Sequence, residues 1–247
     1  MRTLYGMKQS PWTEKARWAL DHHALDYTYH EHLPMIGELL LRMKLRGRTN
    51  GGKTSVPLLV DEGDQGEMAT SSLDIARYAD RVGRGASLFP RSHADTIDKW
   101  NVLSDRMINV GRARVLHDLT TRKDAQKEAL PSFVPGFLRG AMAPSAVMAA
   151  KFLSSKHAVA GDLETLRETE LRPALEEVRG ALAGGKYLVD GALSYADIAV
   201  AAAMRAVKPE ARADIGPETR TSWTDDKLVS DFEDLLMWRD ALYEKHR

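Results

Sequence analysis

Cysteine is absent from all 247 residues. Disulfides, thiolate metal sites and any redox cycle run on the protein's own thiols are thereby excluded. The chain also lacks an excess of either charge. Lys plus Arg and Asp plus Glu both count 35, so no broad basic field exists to hold nucleic acid or an anionic lipid surface. Long apolar runs are missing too. The most apolar stretch, Ile198 to Met204 (IAVAAAM), falls far short of the roughly 20 residues a membrane span needs. Lys8, Pro11 and Glu14 interrupt the opening MRTLYGMKQSPWTEKAR, where a secretion signal would need an apolar core. These absences lead to the expectation of a cytoplasmic protein with no membrane, nucleic-acid or metal partner.

What is present centres on Asn50 to Asp80, NGGKTSVPLLVDEGDQGEMATSSLDIARYAD. Leu58-Leu59-Val60 read as a short buried strand and Glu67-Met68-Ala69 as its hairpin partner across a turn rich in Gly, Asp and Glu. A helix follows. Ile75, Tyr78, Ala79 and Val82 recur at helical spacing, and Ser71 stands three residues before Asp74, a capping-box interval. Pro57 at the head of a strand cannot donate to the ladder, which leaves Val56 free to pair outward. The helix N-terminus beyond the hairpin holds unpaired N–H groups and a partial positive charge, suited to a carboxylate. An extended, anionic peptide would satisfy both, whereas an ordinary strand-entry proline and a plain serine cap would also explain them.

Taken in order, Thr3 to Gly6 reads as a strand, and Ser10-Pro11 opens a helix with proline at its first position. That helix covers Trp12 to His23, and Leu25 to His32 alternates as a second strand. Pro34 to Leu45 reads as another helix and Gly47 to Ser55 as a loop. The first part of the chain is thus β-α-β-α-β-β-α over residues 1–81. Residues 82–92 concentrate Gly, Ser and Pro and read as a linker. The rest, 93–247, has no strand signal: Ile97 to Leu119, Leu163 to Leu182, Ser194 to Ala206 and Lys227 to Tyr243 read as helices of an all-α domain. Ser194 to Asp197 forms a second capping box, with Leu193 and Ile198 placed as its hydrophobic staple. Lys123 to Gly161, carrying Pro131, Pro135 and Pro144, reads as partly helical at best, a lid or an elaborated connection.

Three segments, in this order and spacing, resemble the soluble glutathione transferase family, serine type. SPWTEKARWALDHHALDY is similar to the first helix and second strand of its thioredoxin-like domain. SVPLLVDEG with TSSLDIARYAD is similar to its Val-Pro hairpin and glutathione-binding helix, and GKYLVDGALSYADIAVAAAM to its helical-domain signature. The resemblance implies an α/β thioredoxin-like domain followed by an all-helical co-substrate domain, glutathione as co-substrate, and a homodimer active in detoxification. It implies that Val56 pairs its backbone with the cysteinyl unit of glutathione beside a cis Pro57, that Ser72 binds the γ-glutamyl carboxylate with Ser71 beside it in the glutathione site, and that Lys53 meets the glycyl carboxylate. Family members usually carry Glu or Gln where this chain has Ser71, and often a small apolar residue where it has Asp74. Ser10 takes the place of the catalytic hydroxyl, with Thr13 where glutaredoxin-like relatives carry a second cysteine. Tyr5, the rival hydroxyl, falls early in its strand and is expected in the core.

With no protein thiol, the chemistry would fall to the thiol of glutathione, whose pKa resembles the ~8.5 of cysteine. Lowering it by ~2 units takes about 2.7 kcal/mol. One charge-assisted hydrogen bond at ~1.5–3 kcal/mol and a helix end at ~0.3–1 kcal/mol suffice. A glutathione transferase that presents this thiolate to an electrophilic, largely apolar small molecule is the leading expectation. The alternatives are a non-catalytic binding or interaction module of the same fold, and a glutathione-dependent isomerase or dehalogenase.

Other signals point elsewhere or nowhere. Gly47 to Thr54 (GRTNGGKT) matches the phosphate-loop pattern, but a helix-like run precedes it and a strand follows, the reverse of the context that pattern needs. His30 and His32 share a strand face without a third ligand nearby, and are expected to be exposed. His22 and His23 are expected to support a helix end. Met107, Arg112, Arg114 and His117 on the long helix either face a second-substrate pocket or form a solvated face.

Overall fold

The computed structural model of the chain describes residues 1–33, 37, 41, 43, 55–63, 66–131, 133–156 and 162–247. The expected helix over Pro34 to Leu45 and the loop over Gly47 to Ser55 lie largely outside the described residues, and Lys53 lies wholly outside them. The N-terminal domain opens with β1 (Arg2–Gly6), α1 (Pro11–His22) and β2 (Thr28–Glu31), then β3 (Leu58–Asp61), β4 (Met68–Ala69) and α2 (Ser72–Val82). Strand order is β2-β1-β3-β4, with β1 parallel to β2 and the other pairs antiparallel. Register places Leu4 opposite Tyr29 and Leu59, and Leu59 opposite Ala69.

Alternation along the strands divides the core. Leu4, Leu59 and Ala69 turn toward α1 and α2, where Ala16, Ala19, Leu20, Ile75, Ala76 and Ala79 are buried. Tyr5, Leu58 and Val60 turn the other way and close a smaller cluster with Leu41. Tyr5 is a core residue, as expected, and stacks on His30 at 5.4 Å between centroids. Gly6 ends β1 at a close approach: an added Cβ would stand 2.5 Å from the Thr13 side chain, whose hydroxyl accepts from the Met7 amide.

The remainder is helical: α3 (Ala94–Thr121), α4 (Lys123–Glu128), α5 (Gly136–Lys156), α6 (Leu163–Leu166), α7 (Arg172–Leu182), α8 (Tyr195–Ala203), α9 (Pro217–Trp223), α10 (Asp226–Val229) and α11 (Glu233–His246). Its core is continuous with the first half's, since Leu4 and Leu59 share a cluster with Met107, Ile198, Val200 and Phe232. The box at Ser194 forms: Asp197 accepts from the Ser194 amide and hydroxyl, both at 2.8 Å, and from the Leu188 amide at 2.7 Å. Residues 83–90 hold no helix or strand yet are pinned. Asp80 accepts from the Leu88 amide, and the Leu88 carbonyl accepts from the Tyr195 amide. Among the described residues no helix is long and apolar enough to cross a membrane.

Three expectations need correction. Residues 136–156 form a full helix with Pro144 inside it, where 123–161 reads as partly helical. The guanidinium of Arg139 donates to the carbonyls of Lys127, Leu130, Pro131 and Val134, closing the proline turn so the helix can start. Leu163 to Leu182 contains a π turn at Arg167–Leu171, where Arg167 reaches Asp225 at 2.9 Å. Lys227 to Tyr243 is broken between Val229 and Glu233, where Arg179 donates to the Asp231 carbonyl and to Asp234, and Arg172 to Asp231.

Candidate functional site

A cleft of about 500 Å³ lies between the two halves. Its N-terminal wall is made of element ends. The residues before α1 bring Met7, Gln9 and Ser10. Val56-Pro57, a cis peptide, stands immediately before β3, and Thr70 to Leu73 carry the chain from β4 into α2. The topology brings these together because β1 and β3 are neighbours, so the chain leaving one passes the chain entering the other.

Ser10 occupies the N-cap position of α1 by backbone geometry, and its carbonyl accepts from the Glu14 amide at 3.1 Å, but its hydroxyl caps nothing. Capping therefore uses the Ser10 backbone and leaves the side chain of this cleft-lining residue uncommitted to α1. Ser71 is the N-cap of α2. Its hydroxyl accepts from the Asp74 amide at 3.0 Å and donates to the Asp74 carboxylate at 2.7 Å. Ser72, the first residue of α2, is buried and lines the cleft. Val56, Pro57, Ser10, Ser71 and Ser72 thus share one cavity. His32 joins them: expected to be exposed, it is buried at the cleft, because its amide continues the pairing of β1 and β2 onto the Gly6 carbonyl at 2.7 Å and holds it against the sheet. His23 is likewise buried, its ring at 2.9 Å from the Arg84 carbonyl, so it ties the end of α1 to the chain beyond α2. Among the described residues no group of three His, Asp or Glu could hold a metal ion.

The facing wall is made of side chains. Asn101, Asp105, Asn109 and Arg112 form a polar stripe down α3, followed by Val115, Leu116 and Leu119, with Phe152 and Leu153 of α5 and Trp223 completing it. Gly111 makes room for Trp223, whose ring an added Cβ would approach to 2.5 Å. Asp105 is fixed from the other half: its Oδ1 accepts from the Trp12 indole and the Lys15 ammonium, each at 2.8 Å. Lys15 is fully buried and also donates to Ser104 at 2.7 Å. Burial holds its pKa below the ordinary lysine value against the pull of Asp105. Asn101 is buried, and among the described residues its Oδ1 has no hydrogen-bond partner.

Of the four α3 residues read from the sequence, only Arg112 reaches the cleft. Met107 is in the core, His117 is exposed and does not line the cleft, and Arg114 is consumed by Asp225 and the carbonyls of Ala206, Ser222 and Trp223. Trp12, Asn101 and Asp105 were not singled out. The signal available for the last two was the spacing 101, 105, 109 and 112, one stripe of polar residues along a helix whose other buried positions are mostly apolar.

Residues 4–85 match the family model described as glutathione S-transferase, N-terminal domain. No curated protein sequence matches the chain. Among solved structures, the glutathione transferase GSTFuA2 from Phanerochaete chrysosporium is similar over 100% of this chain and 98% of its own, with a TM-score of 0.64 at 17% identity. A glutathione S-transferase from Methylobacillus flagellatus KT, solved with glutathione bound, aligns over 99% and 95% with a TM-score of 0.58 at 16% identity. One from Rhodospirillum rubrum F11 aligns over 99% and 88% with a TM-score of 0.56 at 21% identity. The N-terminal domain is thus of the glutathione S-transferase type, and the whole chain has the fold of those enzymes, a thioredoxin-like domain followed by helices.

Proposed function

We propose that this protein is a glutathione transferase in which Ser10 stabilises the glutathione thiolate for attack on an electrophilic, largely apolar small molecule. The observation that carries the reading is the Ser10 hydroxyl, uncommitted to its helix, in one cavity with Val56 and the tip of α2. Glutathione would run along that wall, its cysteinyl unit paired with the Val56 backbone beside Pro57 and its γ-glutamyl carboxylate at Ser71, Ser72 and the unpaired N–H groups of α2. Lys53 would meet the glycyl carboxylate. With a haloarene, the thiolate forms the C–S bond as the C–halogen bond breaks and halide leaves.

The divide between glutathione and co-substrate domains falls in residues 82–92, and the protein acts in the cytoplasm as a detoxifying homodimer. Supporting a dimer, Phe133, Phe137 and Met148 on and beside α5 expose 72%, 85% and 61% of their surface. A second reading, a binding module without catalysis, draws on Ser71: the side chain standing where the family has Glu or Gln is already occupied by Asp74.

With a halonitroarene and glutathione, Ser10→Ala is expected to lower kcat/KM by roughly 10- to 100-fold, the loss of one hydrogen bond to a charged group. It also moves the pH–rate profile up toward the ~8.5 of a free thiol. Equal activity in the two proteins would remove Ser10 from this role, and no calorimetric heat with millimolar glutathione would favour the binding module.

A further inference from the structure

The stripe on α3 ends in a cation whose surroundings leave its charge largely unanswered. Arg112 lines the cleft with its guanidinium 5.0 Å above the Trp12 ring. Nη2 donates to the amide oxygen of Asn109 at 2.8 Å, while Nε is buried without a partner. Among the described residues no carboxylate comes within ion-pair distance of it. Asp105, the acid whose charge it feels, is held on Oδ1 by Lys15 and Trp12. By contrast, Arg114 and Arg167 are answered by Asp225, Arg205 by Glu210 and Arg179 by Asp234. Burial accordingly pushes the Arg112 pKa below the usual arginine value, with Asp105 opposing.

A half-buried cation without a counter-charge gives up hydration and recovers little, unless something entering the cleft supplies the anion. Immediately beyond it the wall turns apolar, with Leu116, Leu119, Phe152 and Trp223. Resting on the transferase reading, we propose that the co-substrate is an aryl-sized electrophile bearing a carboxylate, with Arg112 and Asn109 receiving the carboxylate and the apolar residues receiving the ring. Arginine suits this because its fork presents paired N–H donors to one planar anion. The Trp12 face, holding the guanidinium from one side, fixes its orientation toward the cavity.

A chloronitrobenzoate and its methyl ester form a matched pair that differs in the charge. Each rate with glutathione is divided by the uncatalysed rate, which corrects for the more activating ester group. The wild type is expected to favour the acid, and Arg112→Met to lower the acid-to-ester ratio of kcat/KM by roughly 10- to 100-fold. Arg112→Lys, retaining charge without the fork, should fall between. An acid-to-ester ratio equal in wild type and Arg112→Met overturns the proposal. If the wild type turns over neither compound, the transferase reading has failed, and calorimetry of the benzoate and the ester against both proteins still decides: tighter benzoate binding that Arg112→Met abolishes supports the anion site, and equal binding overturns it. Unchanged glutathione affinity in each variant controls for folding.

Discussion

The two walls of the cleft are built from different material. On the sheet side the groups facing the cavity are the ends of elements: the strand entry at Val56-Pro57, the caps of α1 and α2, and hydroxyls beside them. On the helical side they are side chains in mid-helix, Asn101, Asp105, Asn109 and Arg112, whose placement depends on other side chains. A wall of backbone ends depends on the fold and little on individual residues, so it suits a ligand that never changes. A wall of side chains can be rewritten one position at a time, so it suits the ligand that differs between proteins of one fold.

The hardest test removes the helical wall's scaffold. Asp197→Ala leaves three donors without an acceptor, the half-buried amide of Leu188 and the buried amide and hydroxyl of Ser194. At about 1–3 kcal/mol each, a loss of at least ~3 kcal/mol is expected by urea denaturation, with Asp197→Asn recovering part of it. Lys15→Met is milder and more discriminating. It deletes the bonds to Ser104 and Asp105, which should cost about 1–3 kcal/mol and raise KM for the electrophile as Asp105 loosens, while the glutathione dissociation constant stays put. A parallel loss of glutathione affinity would mean the walls are not independent.

The smallest effect belongs to the sheet side. Asp61 accepts from Tyr78 at 2.5 Å, from the Gly63 amide at 3.0 Å, and pairs with Arg2. The Tyr78 bond above all, with the Gly63 amide and Arg2, holds its pKa below the ordinary carboxylate value. A depressed carboxylate contributes stability above its unfolded pKa and loses it as pH falls through the folded one. Asp61→Asn is therefore expected to reduce stability at neutral pH modestly, and to flatten its decline below about pH 4 in acid titrations followed by circular dichroism.

This contrast also explains what was legible in the sequence. Val56-Pro57, Ser71-Ser72 and the Ser194 box are local chemistry, with donor and acceptor three residues apart or proline acting on its own peptide, so reading them requires no knowledge of the fold. The α3 stripe needs to be known to face Trp12, 93 positions away from Asp105, and spacing alone leaves a solvated face equally plausible. His32 was misjudged because its place at the cleft depends on pairing with Gly6, 26 positions earlier on another strand. The helix at 136–156 was missed because its prolines read as breakers, whereas Arg139 satisfies the carbonyls that the proline turn leaves open. The break after Val229 is imposed by arginines some 50 positions earlier.

The Lys15 ammonium acts as a bolt through the seam. Swinging α3 away from α1, as a closing lid would require, pulls Ser104 and Asp105 off a charge with no water to replace them. The Lys15 bonds therefore resist separation of α1 from α3 along this side of the cleft. In the proposed transferase, thiol and electrophile would then meet at a distance set at folding rather than at each encounter.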